Sequence, residues 1–175
     1  MLDRDQERYP PTIVLLSNGR QVTLQGLSLE DAGPLGDFHE SLPRATYRFY
    51  GPYPLTRQSA ARLAAEAGSP TLVALVAKTA GEIVGHAWYR WVDEDSRTST
   101  FGICLRQEYR GIGLGRAMME RLLYIGEQNG PAVMSLTVQK ANPRALALYH
   151  SMGFCEKREQ MVKGYPPEML NLQPG

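Results

Sequence analysis

The densest chemical signal in the chain is Tyr109-Arg110-Gly111-Ile112-Gly113-Leu114-Gly115-Arg116. Glycines let a backbone turn tightly and leave its amide N–H groups unobstructed. The segment lies between an alternating, strand-like stretch and one with helical spacing, so a helix N-terminus stands behind those amides. Amides and helix end together suit an anion such as phosphate. Arg110 and Arg116 add positive charge, and Glu108 offsets part of it. A dinucleotide-binding G-x-G-x-x-G would need a glycine where Arg116 stands, and a P-loop would need Gly-Lys-Ser/Thr, which does not occur here. The pattern is instead R-x-x-G-x-G, from Arg110 through Gly113 to Gly115. A tight strand-to-helix turn with no ligand would use the same glycines.

A second group follows at Asn142-Pro143-Arg144-Ala145-Leu146-Ala147-Leu148-Tyr149, closed by Gly153-Phe154. Asn as N-cap and Pro at the first helical position start a helix, and Gly153 terminates it. Ala145, Leu148 and Met152 have the spacing of core residues. Tyr149 reads either as a packed aromatic or as a proton donor, since a phenol holds its proton at neutral pH. Cys104 and Cys155 form neither a disulfide framework nor a metal-ligand pattern. No His/Asp partner pattern surrounds Cys104, which reads as an inert strand residue rather than a nucleophile.

The elements that must position these groups are legible in outline. Thr12 to Leu16 and Gln21 to Leu24 read as a hairpin about Asn18-Gly19. Ser28 caps a short or irregular helix from Leu29, and Thr56 caps an alanine-rich helix over 57–67. Between them, Leu42 to Thr56 carries Pro43, Pro52, Pro54 and four aromatic side chains, and reads as an ordered loop. Leu72 to Ala77, Ile83 to Val92 and Thr98 to Leu105 form an antiparallel meander with an acidic turn at Asp93-Glu94-Asp95. Gly113 to Gln128 is a helix, Val133 to Val138 a strand, and Phe154 to Val162 and Glu168 to Leu172 close the chain as strands. The order predicts an α/β (α+β mixed) fold: one central mixed, mostly antiparallel, twisted sheet of about seven strands, with helices on both faces.

Composition narrows the function classes. The chain has 175 residues, 43% hydrophobic and 21% charged, which is ordinary globular usage. Nineteen basic against 18 acidic residues give a formal charge of +1, which argues against broad capture of nucleic acid. No apolar run approaches a membrane span, and the charged first residues leave no signal-peptide core, so a soluble, cytoplasmic protein is expected. Locally, Arg106, Arg110, Arg116 and Arg121 outnumber Glu108 and Glu120, enough for one small anionic ligand.

Joined, R-x-x-G-x-G and N-x-x-A-x-x-L-Y-x-x-x-G-F at this separation resemble the GNAT superfamily of N-acetyltransferases. The match spans about Thr98 to Phe154, the acyl-CoA-binding half of that fold, and the preceding strands fit in order. On the resemblance, 1–175 is a single GNAT-like domain. Residues 12–97 supply the N-terminal strands, acceptor-side helices and loop, 98–154 the acyl-CoA-binding core, and 155–175 the C-terminal strands. It implies acetyl-CoA as cofactor, CoA as product and no metal. The pyrophosphate would rest on Arg110, Gly111, Ile112, Gly113, Leu114, Gly115 and Arg116. The pantetheine arm would pair with the backbone of Ile103, Cys104 and Leu105, where two central strands splay apart, and Asn142 would contact the cofactor. Gly102 either allows close approach of a ligand or marks a bulge.

The reaction implied is direct attack of a primary amine of a small molecule or peptide on the thioester, with no covalent acyl-enzyme. Strand amides near Ile103 would polarise the carbonyl, and Tyr149 falls where the family places the acid for the departing sulfur. The base departs from the family pattern: Thr137 and Ser99 stand where relatives carry a glutamate. Glu94, Asp95 and His86 are outlying candidates, and water is another route. Acceptor specificity would come from Leu42 to Thr56, with Arg44, Arg48 and Arg57 favouring an acidic acceptor, and from the Gly164-Tyr165-Pro166-Pro167 turn. The second function class is a non-catalytic acyl-CoA-binding or regulatory domain, motivated by the missing carboxylates. A sheet edge or the C-terminal strand offers a route to a homodimer.

Overall fold

The computed structural model describes residues 9–49, 53–91, 98–129, 133–134, 136–160 and 169–174. β1 (Thr12–Leu15) and β2 (Gln21–Gly26) pair antiparallel across the predicted turn. Ser28 and Asp31 then cap each other: the Ser28 amide donates to Asp31 Oδ2 at 3.0 Å and its hydroxyl donates to the same oxygen at 3.2 Å. Lys78 closes an ion pair with the buried Asp31 carboxylate. A 3₁₀ turn over Leu29–Asp31 leads into α1 (Ala32–Ser41), which is regular despite Pro34 and Gly36. Pro34 sits in the first turn, where the missing N–H is no loss.

The stretch expected to be a loop contains a helix, α2 (Arg44–Phe49). Six residues are too few to display a helical period between flanking prolines, so its pattern was invisible. Thr56 caps α3 (Arg57–Ala65) as expected, its hydroxyl accepting from the Ser59 amide at 3.1 Å. The acidic turn 93–95 and the 164–167 turn lie outside the described residues.

β3 (Leu72–Thr79), β4 (Glu82–Arg90) and β5 (Thr98–Leu105) form the meander. α4 (Leu114–Asn129) then crosses over to β6 (Val133–Met134), which lies parallel to β5. The remaining elements are β7 (Leu136–Gln139), α5 (Pro143–Ser151), β8 (Phe154–Gln160) and β9 (Met169–Pro174). The described strands make a six-stranded sheet, β1-β2-β3-β4-β5-β6, and a three-stranded one, β7-β9-β8. The expectation of one sheet of about seven strands is therefore corrected. The predicted strand over 133–138 is shared between the two sheets: its start pairs with β5, and its end finds antiparallel partners on β9, Leu136 opposite Leu172. A choice between two distant partners leaves no local trace in sequence.

β3 explains why helices cover both faces of the large sheet. Its run Leu72 to Ala77 is buried throughout, and alternate residues enter different cores. Val73, Leu75 and Ala77 join Leu114, Met118 and Leu122 of α4, whereas Leu72, Ala74 and Val76 join Leu35 and Phe38 of α1 and Ala60 and Leu63 of α3. No helix among the described residues is long and apolar enough to cross a membrane.

Gly102 has a different cause from either expected one. It sits opposite Trp88 in the β4–β5 register, and a Cβ there would lie 2.8 Å from two carbons of the Trp88 indole. The glycine makes room for a ring laid on the strand backbone. Gly102→Ala should therefore cost about 1–3 kcal/mol through displacement of a buried tryptophan, read as a lower midpoint in urea denaturation followed by tryptophan fluorescence. An unchanged midpoint would show that the indole repacks freely.

Candidate functional site

The site is organised by the backbone of β5. Arg106 donates its amide to the Val84 carbonyl at 2.9 Å, which fixes the phase of the β4–β5 ladder. Antiparallel partners exchange bonds at every second pair. Cys104 thus spends its N–H and C=O on His86, and Gly102 spends its own on Trp88. Ile103 and Leu105 direct theirs to the opposite side. There, among the described residues, β6 pairs with Thr98 and Ser99 alone, because β7 has turned to β9. The strands part beside Ile103 and Leu105, which opens a gap bordered by backbone donors and acceptors. The three residues Ile103, Cys104 and Leu105 are consequently not equivalent: the Cys104 backbone faces away from the gap.

Arg110 closes the end of this strand. Its Nε and Nη2 donate to the Leu105 carbonyl at 3.2 and 3.1 Å, and Nη2 also donates to Thr46 Oγ1 at 2.9 Å. The Arg110 side chain is thus a brace within the protein. Arg116, also expected near phosphate, donates through Nη2 to Ser151 Oγ at 2.7 Å, joining α4 to the end of α5 at the surface.

Between these arginines the loop has the conformation that its glycines permit. Gly111 and Gly113 take φ of +73 and +96, and a Cβ at either would meet nothing within 4 Å. Conformation, not crowding, requires glycine here. The Ile112 carbonyl accepts from the Ser17 amide at 3.1 Å, so the β1–β2 turn holds one side of the loop. In a trans peptide the next N–H points the opposite way, which turns the Gly113 amide outward. The first intrahelical bond of α4 runs from Ala117 to the Gly113 carbonyl at 3.1 Å. Leu114, Gly115 and Arg116 lie ahead of it, with amides at the positive end of a sixteen-residue helix. Gly115 faces inward, 3.3 Å from Leu148 Cδ2 at its Cβ position, which sets α4 close against α5.

On α5, Asn142 Oδ1 accepts from the Ala145 amide at 3.3 Å. The cap uses the side-chain oxygen and leaves the Nδ2 donors for another partner, so capping and ligand contact are compatible. Tyr149 lies two turns further on the same face. Its ring packs edge-on against Phe101 of β5, centroids 6.0 Å apart, and is tilted against Phe154 at 6.0 Å. Burial raises its phenol above the ordinary value of 10.0, and the neighbouring Cys104 adds to the rise. Burial likewise pushes the Cys104 thiol up to about 12, against the opposing pull of Arg110. The thiol is held neutral, as its reading as an inert residue requires.

The other face of β4 and β5 carries polar groups in an apolar setting. His86 is 1% exposed, and its Nδ1 lies 3.1 Å from the Tyr53 hydroxyl, while Nε2 finds no hydrogen-bond partner among the described residues. Burial, with a smaller contribution from His39, pushes its pKa down to about 3, so His86 is neutral and unfit to take a proton from an amine. His39 Nδ1 donates to the Thr56 carbonyl at 2.9 Å, and its ring is 6.0 Å from that of Tyr53. Tyr53 also faces Trp88. Of the arginines expected to attract an acidic acceptor, Arg57 is already paired with Asp37 at 2.5 Å and Glu40 at 2.7 Å, while Arg44 is exposed. Sequence reasoning missed Thr46, Ser17 and Phe101 as supports of the site. Only Phe101 left a signal, as an apolar strand position.

Comparison with known proteins follows this geometry. The model of the acetyltransferase (GNAT) family matches residues 36–154, well over half of the chain. The [ribosomal protein bS18]-alanine N-acetyltransferase of Escherichia coli (strain K12) is 43% identical over 56 residues. That alignment covers 32% of this chain and 38% of the relative, so the match takes in well under half of that enzyme. Among solved structures, the GNAT domain of S. lividans PAT superposes with a TM-score of 0.81 at 18% identity, covering 93% of this chain and 95% of that one. The protein yncA of Salmonella typhimurium, solved with its cofactor acetyl-CoA, gives a TM-score of 0.70 at 20% identity, covering 87% and 91%.

The buried imidazoles set an acid limb of stability. His86 stays neutral in the fold down to about pH 3, whereas the unfolded chain takes up the proton near 6.5. Stability is complete above pH 6.5 and falls below it, His86 contributing about 1.4 kcal/mol per pH unit. Burial lowers His39 in the same direction. Urea unfolding from pH 7 to pH 4.5 should show this loss, and His86→Leu should remove one imidazole's share of the slope. Equal slopes for wild type and variant would place the acid sensitivity elsewhere.

Proposed function

Because the chain belongs to the GNAT acetyltransferase family, we propose that it transfers an acetyl group directly from acetyl-CoA to a primary amine of a small molecule or peptide. Three observations support the proposal: the Gly113 amide turned outward at the N-terminus of α4, the Ile103 backbone and Leu105 amide that β6 does not pair, and the Tyr149 ring against Phe101 of the same strand. These residues fit the cofactor. The pyrophosphate sits on amides of Gly111 to Arg116, with the helix dipole of α4 behind them. The pantetheine pairs with Ile103 and the Leu105 amide, since the Leu105 carbonyl is committed to Arg110. Asn142 contributes its Nδ2 donors.

Acetyl-CoA supplies an activated acyl group that a neutral amine can accept without a covalent enzyme intermediate. The Ile103 backbone orients and polarises the acyl carbonyl. Tyr149 holds a proton on its hydroxyl for the departing sulfur, and a phenol raised by burial stays protonated at every working pH. With Thr137 and Ser99 at the positions of a carboxylate base, and His86 neutral and enclosed, the amine's proton leaves through water or the amine arrives neutral. The acceptor enters on the side of α1, α2 and the Tyr53 segment. The Escherichia coli relative acts on an alanine of a ribosomal protein, which supports an amine on a peptide as one acceptor class.

The alternative, an acyl-CoA-binding domain without turnover, is disfavoured by the retained Tyr149. Thermal shift with CoA and acetyl-CoA, followed by thiol release over an amine library, separates the two readings: stabilisation without release would favour the binding domain. Tyr149→Phe should leave the CoA Kd nearly unchanged and lower kcat by about 10²-fold. A variant with unaltered kcat under conditions where chemistry limits turnover would remove Tyr149 from the mechanism.

A further inference from the structure

Thr46 stands on α2, outside every motif that pointed to a cofactor, yet its hydroxyl accepts from Arg110 at the head of the glycine loop. The geometry of that guanidinium is specific. Its Nε–H and one Nη2 proton hold the Leu105 carbonyl, and the second Nη2 proton holds Thr46 Oγ1. One rigid, planar group therefore links three elements: the end of β5, the start of the 111–116 loop, and the acceptor-side helix. We propose that Thr46 is a positioning residue for cofactor binding, acting through Arg110 to set the Leu105 peptide and the loop that follows it. The proposal rests on the acetyl-CoA reading above.

Three physical points support it. Thr46 is 7% exposed, so water does not readily replace its hydroxyl as an acceptor. Without it, an Nη2 proton loses its partner in a half-buried place, which costs more than a surface hydrogen bond. A six-residue helix cannot hold itself by its own backbone bonds, so the placement of α2 depends on contacts such as this one. The Leu105 carbonyl borders the gap between β5 and β7, and because it flanks the same Cα as the Leu105 amide, a shift of this residue on loss of its Arg110 anchor would move the amide proposed to pair with the pantetheine.

The test is calorimetric titration of CoA into wild type, Thr46→Val, Thr46→Ser, Arg110→Met and the Thr46→Val/Arg110→Met double variant, at low and high salt. Valine keeps the shape and removes the acceptor, and serine restores it. Thr46→Val should weaken CoA about fivefold, by the same factor at both salt concentrations, because no phosphate contact is lost. Thr46→Ser should recover wild-type affinity. In the Arg110→Met background, Thr46→Val should add nothing, since the two act as one unit. Wild-type affinity in Thr46→Val, or losses that simply add, overturns the coupling while leaving the acetyl-CoA reading intact. Failure of the wild type itself to bind CoA overturns that reading and the proposal with it.

Discussion

Hydrogen-bond accounting along β5 governs the rest of the molecule. A strand inside a sheet normally spends its amides and carbonyls on two neighbours. β5 spends one set on β4 from Thr100 to Leu105, but among the described residues the other set meets β6 only at Thr98 and Ser99. Beyond that point β7 belongs to a second sheet. On the proposed reading, the Ile103 groups and the Leu105 amide that this leaves receive an extended, amide-bearing ligand. Everything nearby protects that arrangement: Arg110 fixes the last carbonyl, Gly102 lets Trp88 lie on the strand, and Phe101 seats the Tyr149 ring.

The electrostatics around the gap follow from burial. Tyr149, Cys104 and His86 are ionisable groups on or beside β5, and desolvation drives each toward its neutral form. On the proposed reading, the charge that an anionic ligand meets comes instead from the amides of the loop and the N-terminus of α4. The arginines of the motif serve mainly as struts, Arg110 within the fold and Arg116 across to Ser151. Dipoles fixed by backbone geometry give a more directional site than mobile cations, and they leave the formal charge of the chain close to neutral.

The other face of β4 and β5 is built on a different principle. Its residues, His39, Tyr53, His86 and Trp88, form a neutral aromatic and imidazole cluster beneath α1. The one arginine pairing described there is internal, Arg57 with Asp37 and Glu40. With both carboxylates as partners, the Arg57 guanidinium is committed within the protein.

Local chemistry was readable along the chain because it acts locally. Positive φ at Gly111 and Gly113, the Asn142 cap and the apolar run of β3 each depend on a few neighbouring residues, and each was visible in the residue types along the chain. Family membership was legible for the same reason, through two short motifs at a set separation. The division of 133–139 between two sheets, the six-residue helix α2, and the Thr46–Arg110 contact were not. Each follows from which distant segment wins a competition for hydrogen bonds or packing area, and that free energy is summed over the whole tertiary structure. Sequence thus named the candidate groups for holding an anion and a proton. Only folding determined that β7 would leave β5 to β9, and with it where the β5 backbone would lack a strand partner.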